Sequence, residues 1–146
     1  MSLRYRTEAI NGDGGTGTAR VIDGMKVPVA SPLAPNPDPD ASNPEQLLAL
    51  AWSTCLNATA QALVKRERRT AVRIEVELHD AAEGPGYEFH VDAHLSAEGL
   101  TLAETEDLLE RAHARCPVSK LLRGASTVQV HAEEYSQVAA GSSARS

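Results

Sequence analysis

The chain has 146 residues, a formal net charge of −6 and a hydrophobic fraction of 42%. That length suits one domain with a real core. The acidic balance, a single Phe and a single Trp, and the want of a basic cluster argue against a nucleic-acid partner.

Leu3, Tyr5, Thr7 and Ala9 alternate with charged residues, which predicts a first strand over 3–9. Gly12 to Gly17 is a turn and lacks the Lys-Ser/Thr of a phosphate loop. Residues 18–22 and 25–29 flank Asp23-Gly24, a two-residue hairpin signal. Four prolines between Ser31 and Asp40 forbid regular structure there, so a surface loop is expected.

Asn43-Pro44-Glu45-Gln46 predicts a helix start. Asn43 can cap, Pro44 suits the first turn, and Gln46 can close a capping box. The helix is expected to run to about Arg68, with Arg66, Arg68 and Arg69 as an end cluster. Its stretch over 47–64 is mostly apolar, close to membrane-span length. Ser53, Thr54, Asn57, Thr59 and Gln61 within it favour a buried helix instead. It is apolar on nearly every side, so more than one surface must cover it. A second subunit could supply one, which motivates a homodimer.

Residues 72–79 and 88–95 alternate as a half-buried antiparallel pair around Gly84-Pro85-Gly86. Thr101 and Glu104 form a capping box for a helix whose stripe is Leu102, Thr105, Leu109 and Ala112, with Leu108 beside it. Cys116-Pro117 marks a break before a short helix ended by Gly124. A last strand covers 128–132. The fold class is α+β, with antiparallel sheets packed on a long central apolar helix. Residues 1–135 are expected as one domain and 136–146 as a disordered polar tail.

The N-terminus shows no apolar core of a secretory signal, so a cytoplasmic setting is the expectation. A reducing cytosol favours reactive or buried thiols over a permanent bridge, which turns attention to Cys55 and Cys116. Only a thiolate attacks a peroxide or a disulfide. Cys116 precedes a proline at a helix start, where backbone N–H groups would favour its thiolate. Cys55 lies well inside its helix, among Leu48, Ala51, Trp52 and Leu56, and burial there raises a thiol pKa.

Asn43-Pro44-Glu45-Gln46-Leu47-Leu48, then Ser53-Thr54-Cys55, then Cys116-Pro117-Val118-Ser119 resembles the OsmC/Ohr family of osmotically inducible and organic hydroperoxide resistance proteins. The resemblance spans about residues 3–134. It implies an intertwined homodimer with sites at the subunit interface, and a two-cysteine peroxidase without metal, haem or flavin. Cys55 matches the peroxidatic cysteine, which becomes a sulfenic acid. Cys116 matches the resolving cysteine, which condenses with it to a disulfide. The implied substrates are organic hydroperoxides, and hydrogen peroxide as a further one. The implied reductant is a dithiol, a lipoyl-bearing protein in the Ohr branch.

The same resemblance makes Glu45 the residue that orients an activating arginine. Where Ohr proteins carry Gly-Gly-Arg, this chain has Gly14-Gly15-Thr16, which leaves Arg20 as the nearest candidate. Trp52 and Leu48 are expected to wall the substrate pocket. Non-enzymatic binding of a small ligand on the same fold is the alternative. His90 and His94 share a strand face about 13 Å apart, too far for one metal. His113, three residues before Cys116, reads as a partly exposed helix residue or as a base.

Overall fold

A computed structural model describes residues 2–136, and the chain divides into two compact units between Leu47 and Leu48. Apart from Ser136, the tail expected over 136–146 lies outside the described residues.

The first unit carries a three-stranded antiparallel sheet of β1 (Ala9–Asn11), β2 (Gly17–Val21) and β3 (Lys26–Val29). β1 is far shorter than the alternation over 3–9 suggested. Leu3 and Tyr5 are 80% and 79% exposed, so that stretch has no face to bury, and pairing begins only where Ala9 meets Val21. The β1–β2 turn is built from side chains. Asn11 Oδ1 accepts from the N–H groups of Asp13 and Gly14, and Asp13 Oδ2 accepts from Thr18 N. Gly17, at φ 143°, is required: a Cβ there would collide with the Asp13 side chain.

The proline-rich loop is tied at its far end to β3. Ala30 N donates to Ser42 O, and Ser42 N donates to Pro28 O. The cap then follows: Asn43 Oδ1 accepts from Gln46 N at 2.8 Å. The box is only half made, because Gln46 Oε1 accepts from Ser42 Oγ.

Helix α1 (Pro44–Leu63) crosses into the second unit and stops short of Arg68. Arg66 N reaches back to Gln61 O and Lys65 N to Ala62 O, a Schellman closure. Lys65 takes the left-handed position at φ 57° that glycine ordinarily fills.

The second unit continues with β4 (Thr70–Asp80), β5 (Tyr87–Ala97), α2 (Leu102–Arg115), α3 (Pro117–Leu122) and β6 (Val128–Ala132). The sheet order is β4-β5-β6. β4 and β5 are antiparallel, with Ile74 opposite Ala93. β6 instead runs parallel to β5, with Ala93 opposite Val130, so the sheet is mixed rather than antiparallel throughout. The crossover through α2 and α3 returns the chain to the end where β5 began.

The core joins Trp52, Leu56 and Ala60 of α1, Val91, Ala93 and Leu95 of β5, and Leu108, Leu109 and Ala112 of α2. The spacing of the α1 set, four residues apart, makes one stripe of that helix. Asn57 and Gln61 are spent on Thr70: its Oγ1 donates to Asn57 Oδ1 and accepts from Gln61 Nε2. No helix among the described residues is long and apolar enough to cross a membrane. Thr101 and Glu104 make both bonds of their capping box. Leu102, expected in the buried stripe of α2, is half exposed.

Candidate functional site

Proline chemistry positions one of the two sulfurs. Pro117 disfavours helical backbone at the residue before it. Cys116 is accordingly extended, at φ −64° and ψ 124°, and serves two helices at once. Its N–H closes α2 on Ala112 O, and its Sγ caps α3 by accepting from Ser119 N at 3.5 Å. The residue has no exposed surface.

Cys55 reaches the same place from α1. It lies beside the buried stripe of Trp52, Leu56 and Ala60 and is half-buried. The two cysteines approach to 3.4 Å and both are free thiols. Burial pushes the Cys55 thiol up, the backbone N–H of Val118 pulls it down, and the neighbouring Cys116 raises it further. The first turn of α3 thus addresses both sulfurs, Val118 facing Cys55 and Ser119 facing Cys116. A pair of thiols in contact can close to a disulfide once one of them is oxidised.

Around the pair, Leu48 is half-buried and packs on the core. Trp52, expected as a pocket wall, has no exposed surface in this chain. Its indole Nε1 donates to Ser119 Oγ at 2.9 Å, a buried bond that the sequence reading missed. No local pattern signals it, since the partners are 67 residues apart. His113 is half-buried, a partly exposed helix residue as expected. Its ring lies 6.4 Å from that of Trp52, and its Nδ1 is buried without a hydrogen-bond partner among the described residues. Burial first, and then the Arg123 charge, hold it below the usual histidine range.

Two expected residues belong to the first unit. Glu45 is half-buried, and its Oε2 has no partner among the described residues. Arg20 is exposed on β2, opposite Lys26 of β3, and makes no ion pair with Glu45.

A second cluster covers the outer face of the β4-β5-β6 sheet. The His79 and His90 rings lie 4.1 Å apart, tilted by 41°, and His94 and His131 stack at 4.8 Å. Each has a carboxylate beside it. His131 Nε2 is 2.7 Å from Asp92 Oδ1, and His94 Nε2 is 2.8 Å from Glu75 Oε1, close enough for an ion pair but not aligned as a hydrogen bond. Arg73 bridges Glu75 and Glu133 in the same layer. Among the described residues no group of three or more His, Cys, Asp or Glu side chains is placed to hold a metal ion.

Comparison with known proteins places these features in context. Residues 37–131 match a family model described as OsmC-like protein. A Staphylococcus epidermidis protein named organic hydroperoxide resistance protein-like 1 is 31% identical over 139 residues, covering 91% of this chain and 98% of that one. A Mycoplasma pneumoniae organic hydroperoxide resistance protein-like chain is 30% identical over 84% of this chain and 90% of its own length. The crystal structure of an organic hydroperoxide resistance protein OsmC from Legionella pneumophila superposes with a TM-score of 0.78 at 28% identity, covering 92% of this chain and 100% of that chain.

Proposed function

The chain belongs to the OsmC family, and we propose that it is a thiol-dependent peroxidase that reduces organic hydroperoxides. Relatives named for organic hydroperoxide resistance support a role in hydroperoxide resistance. The observation that carries the mechanism is the 3.4 Å approach of Cys55 and Cys116.

In this reading the Cys55 thiolate attacks the outer oxygen of the peroxide bond. The hydroperoxide leaves as its alcohol, and Cys55 is left as a sulfenic acid. The Cys116 sulfur then attacks the Cys55 sulfur, water departs, and a disulfide forms. A dithiol reductant restores both thiols and is itself oxidised to a disulfide. Cys55 takes first attack because it alone of the pair has exposed surface. Leu48 lines the approach, and Glu45 is proposed to hold a cation, with Arg20 the candidate. Leu50, 62% exposed on α1, supports a homodimer whose second subunit covers that face. A cytoplasmic setting fits a dithiol-driven cycle.

Treating the reduced protein with one equivalent of cumene hydroperoxide tests the reading. Mass spectrometry should find a Cys55–Cys116 bond and two thiols lost per chain; thiols left free would end it. A second reading, binding of a small apolar ligand without turnover, is favoured by the upward push on the Cys55 thiol. It requires ligand binding that survives Cys55→Ser, with no peroxide consumed by the wild type.

A further inference from the structure

Ser119 and Trp52 lie outside the thiol chemistry itself, yet the fold spends a buried hydrogen bond on joining them. Trp52 is three residues before Cys55 on α1, and Ser119 is three residues after Cys116 through α3. Each cysteine therefore has one member of the pair a single helical turn away. Trp52 has no exposed surface and Ser119 is 1% exposed. The indole N–H is a donor with no second use, so in this buried setting losing Ser119 Oγ would strand it.

Helix α3 needs such a tie. It has six residues, too few to hold itself in water. Its N-terminal anchor is Cys116, whose Sγ must itself move during the reaction. From contact at 3.4 Å, the sulfurs must close by about 1.4 Å to reach disulfide length. The Trp52–Ser119 bond fixes α3 against α1 one turn beyond the moving atom. It also keeps the Val118 N–H, between Cys116 and Ser119 in the chain, on the Cys55 sulfur.

We propose that the Trp52 Nε1 to Ser119 Oγ hydrogen bond is a positioning clasp that holds Cys116 in register for closure onto oxidised Cys55. The inference rests on the peroxidase reading above. Its two steps are distinct: Cys55 thiol and hydroperoxide give sulfenic acid and alcohol, and sulfenic acid and Cys116 thiol give disulfide and water. The clasp acts on the second step, in which one sulfur must meet another at fixed geometry.

Rapid mixing with cumene hydroperoxide, with dimedone to trap the sulfenic acid, separates the two rates. In Ser119→Ala and in Trp52→Phe, which keeps a ring but loses the N–H, the ratio of closure rate to oxidation rate should fall roughly tenfold. Dimedone adducts on Cys55 should accumulate accordingly. Ser119→Thr keeps the hydroxyl and should restore the ratio. Trp52 is the one tryptophan of the chain, so its emission reports the bond directly. It should shift to the blue in Ser119→Ala and not in Ser119→Thr. A blue shift in Ser119→Ala with an unchanged ratio overturns the proposal, and so does unfolding of both Ser119→Ala and Trp52→Phe, which makes the pair merely structural. A wild type that yields neither sulfenic acid nor disulfide sinks the peroxidase reading itself, a separately recognisable failure.

Discussion

The protonation of Cys55 should govern how this protein responds to pH. Burial is the leading influence on the thiol and pushes it up; the Val118 N–H opposes, and Cys116 adds to the rise. An upward shift from the usual cysteine range leaves the thiolate a minor form at neutral pH. Alkylation of Cys55 by iodoacetamide should then rise roughly tenfold per pH unit from 6 to beyond 8. Peptide mass spectrometry of reduced protein quenched across pH 6–10 reads this directly. Cys116→Ala removes a smaller upward influence and leaves the burial, so its midpoint should fall below that of the wild type. The linkage has the matching sign. The folded state favours the protonated thiol, so this group's contribution to stability is complete below the usual cysteine value and is lost as pH rises past it. A wild-type alkylation plateau already reached at pH 7.5 would refute the reasoning, since burial could not then be the leading influence on the thiol.

Cys55→Ser should lower peroxide consumption by at least roughly a hundredfold, whereas Cys116→Ser should stop after one oxidation per chain, both read in a peroxide-consumption assay. Arg20→Ala and Glu45→Gln should each slow peroxide consumption roughly tenfold if the pair activates the thiol; rates equal to wild type remove both from the site. Leu56→Ala empties a fully buried position of α1 in the core and should cost about 2–5 kcal/mol in urea unfolding, with a loss under about 1 kcal/mol contradicting the core assignment. Lys65→Gly relieves the left-handed backbone at φ 57° and should stabilise by about 1 kcal/mol, against which a lower melting temperature would count.

The helices and caps were legible because their signals are local. Asn43, Thr101, Glu104 and Pro117 each act within one turn, and each does so in the folded chain. The end of α1 was not legible, since Lys65 occupies a position where glycine is the usual marker. The alternation over 3–9 misled because period-two patterning says nothing about whether a neighbour exists to pair with. Orientation of β6 escaped for the same reason: alternation looks identical in parallel and antiparallel strands. His90 and His94 were read along one strand, where they are far apart. Their ring partners His79 and His131 come from β4 and β6, and only register brings them alongside. The two cysteines carried the site in the sequence, but their meeting depends on the extended backbone at Cys116. The Trp52–Ser119 bond joins residues 67 apart, and no local pattern announces it.

The burial of Cys116 sets the direction in which an oxidised chain can be regenerated. Cys55 is half-buried and Cys116 has no exposed surface, so of the two sulfurs Cys55 is the one with a face to the outside. On the proposed peroxidase reading, the reductant would form a transient mixed disulfide on Cys55, expelling Cys116 as the leaving group. The departing sulfur finds the Ser119 N–H already facing it. On that reading, covalent adducts trapped between this chain and a thiol reductant would belong on one sulfur only.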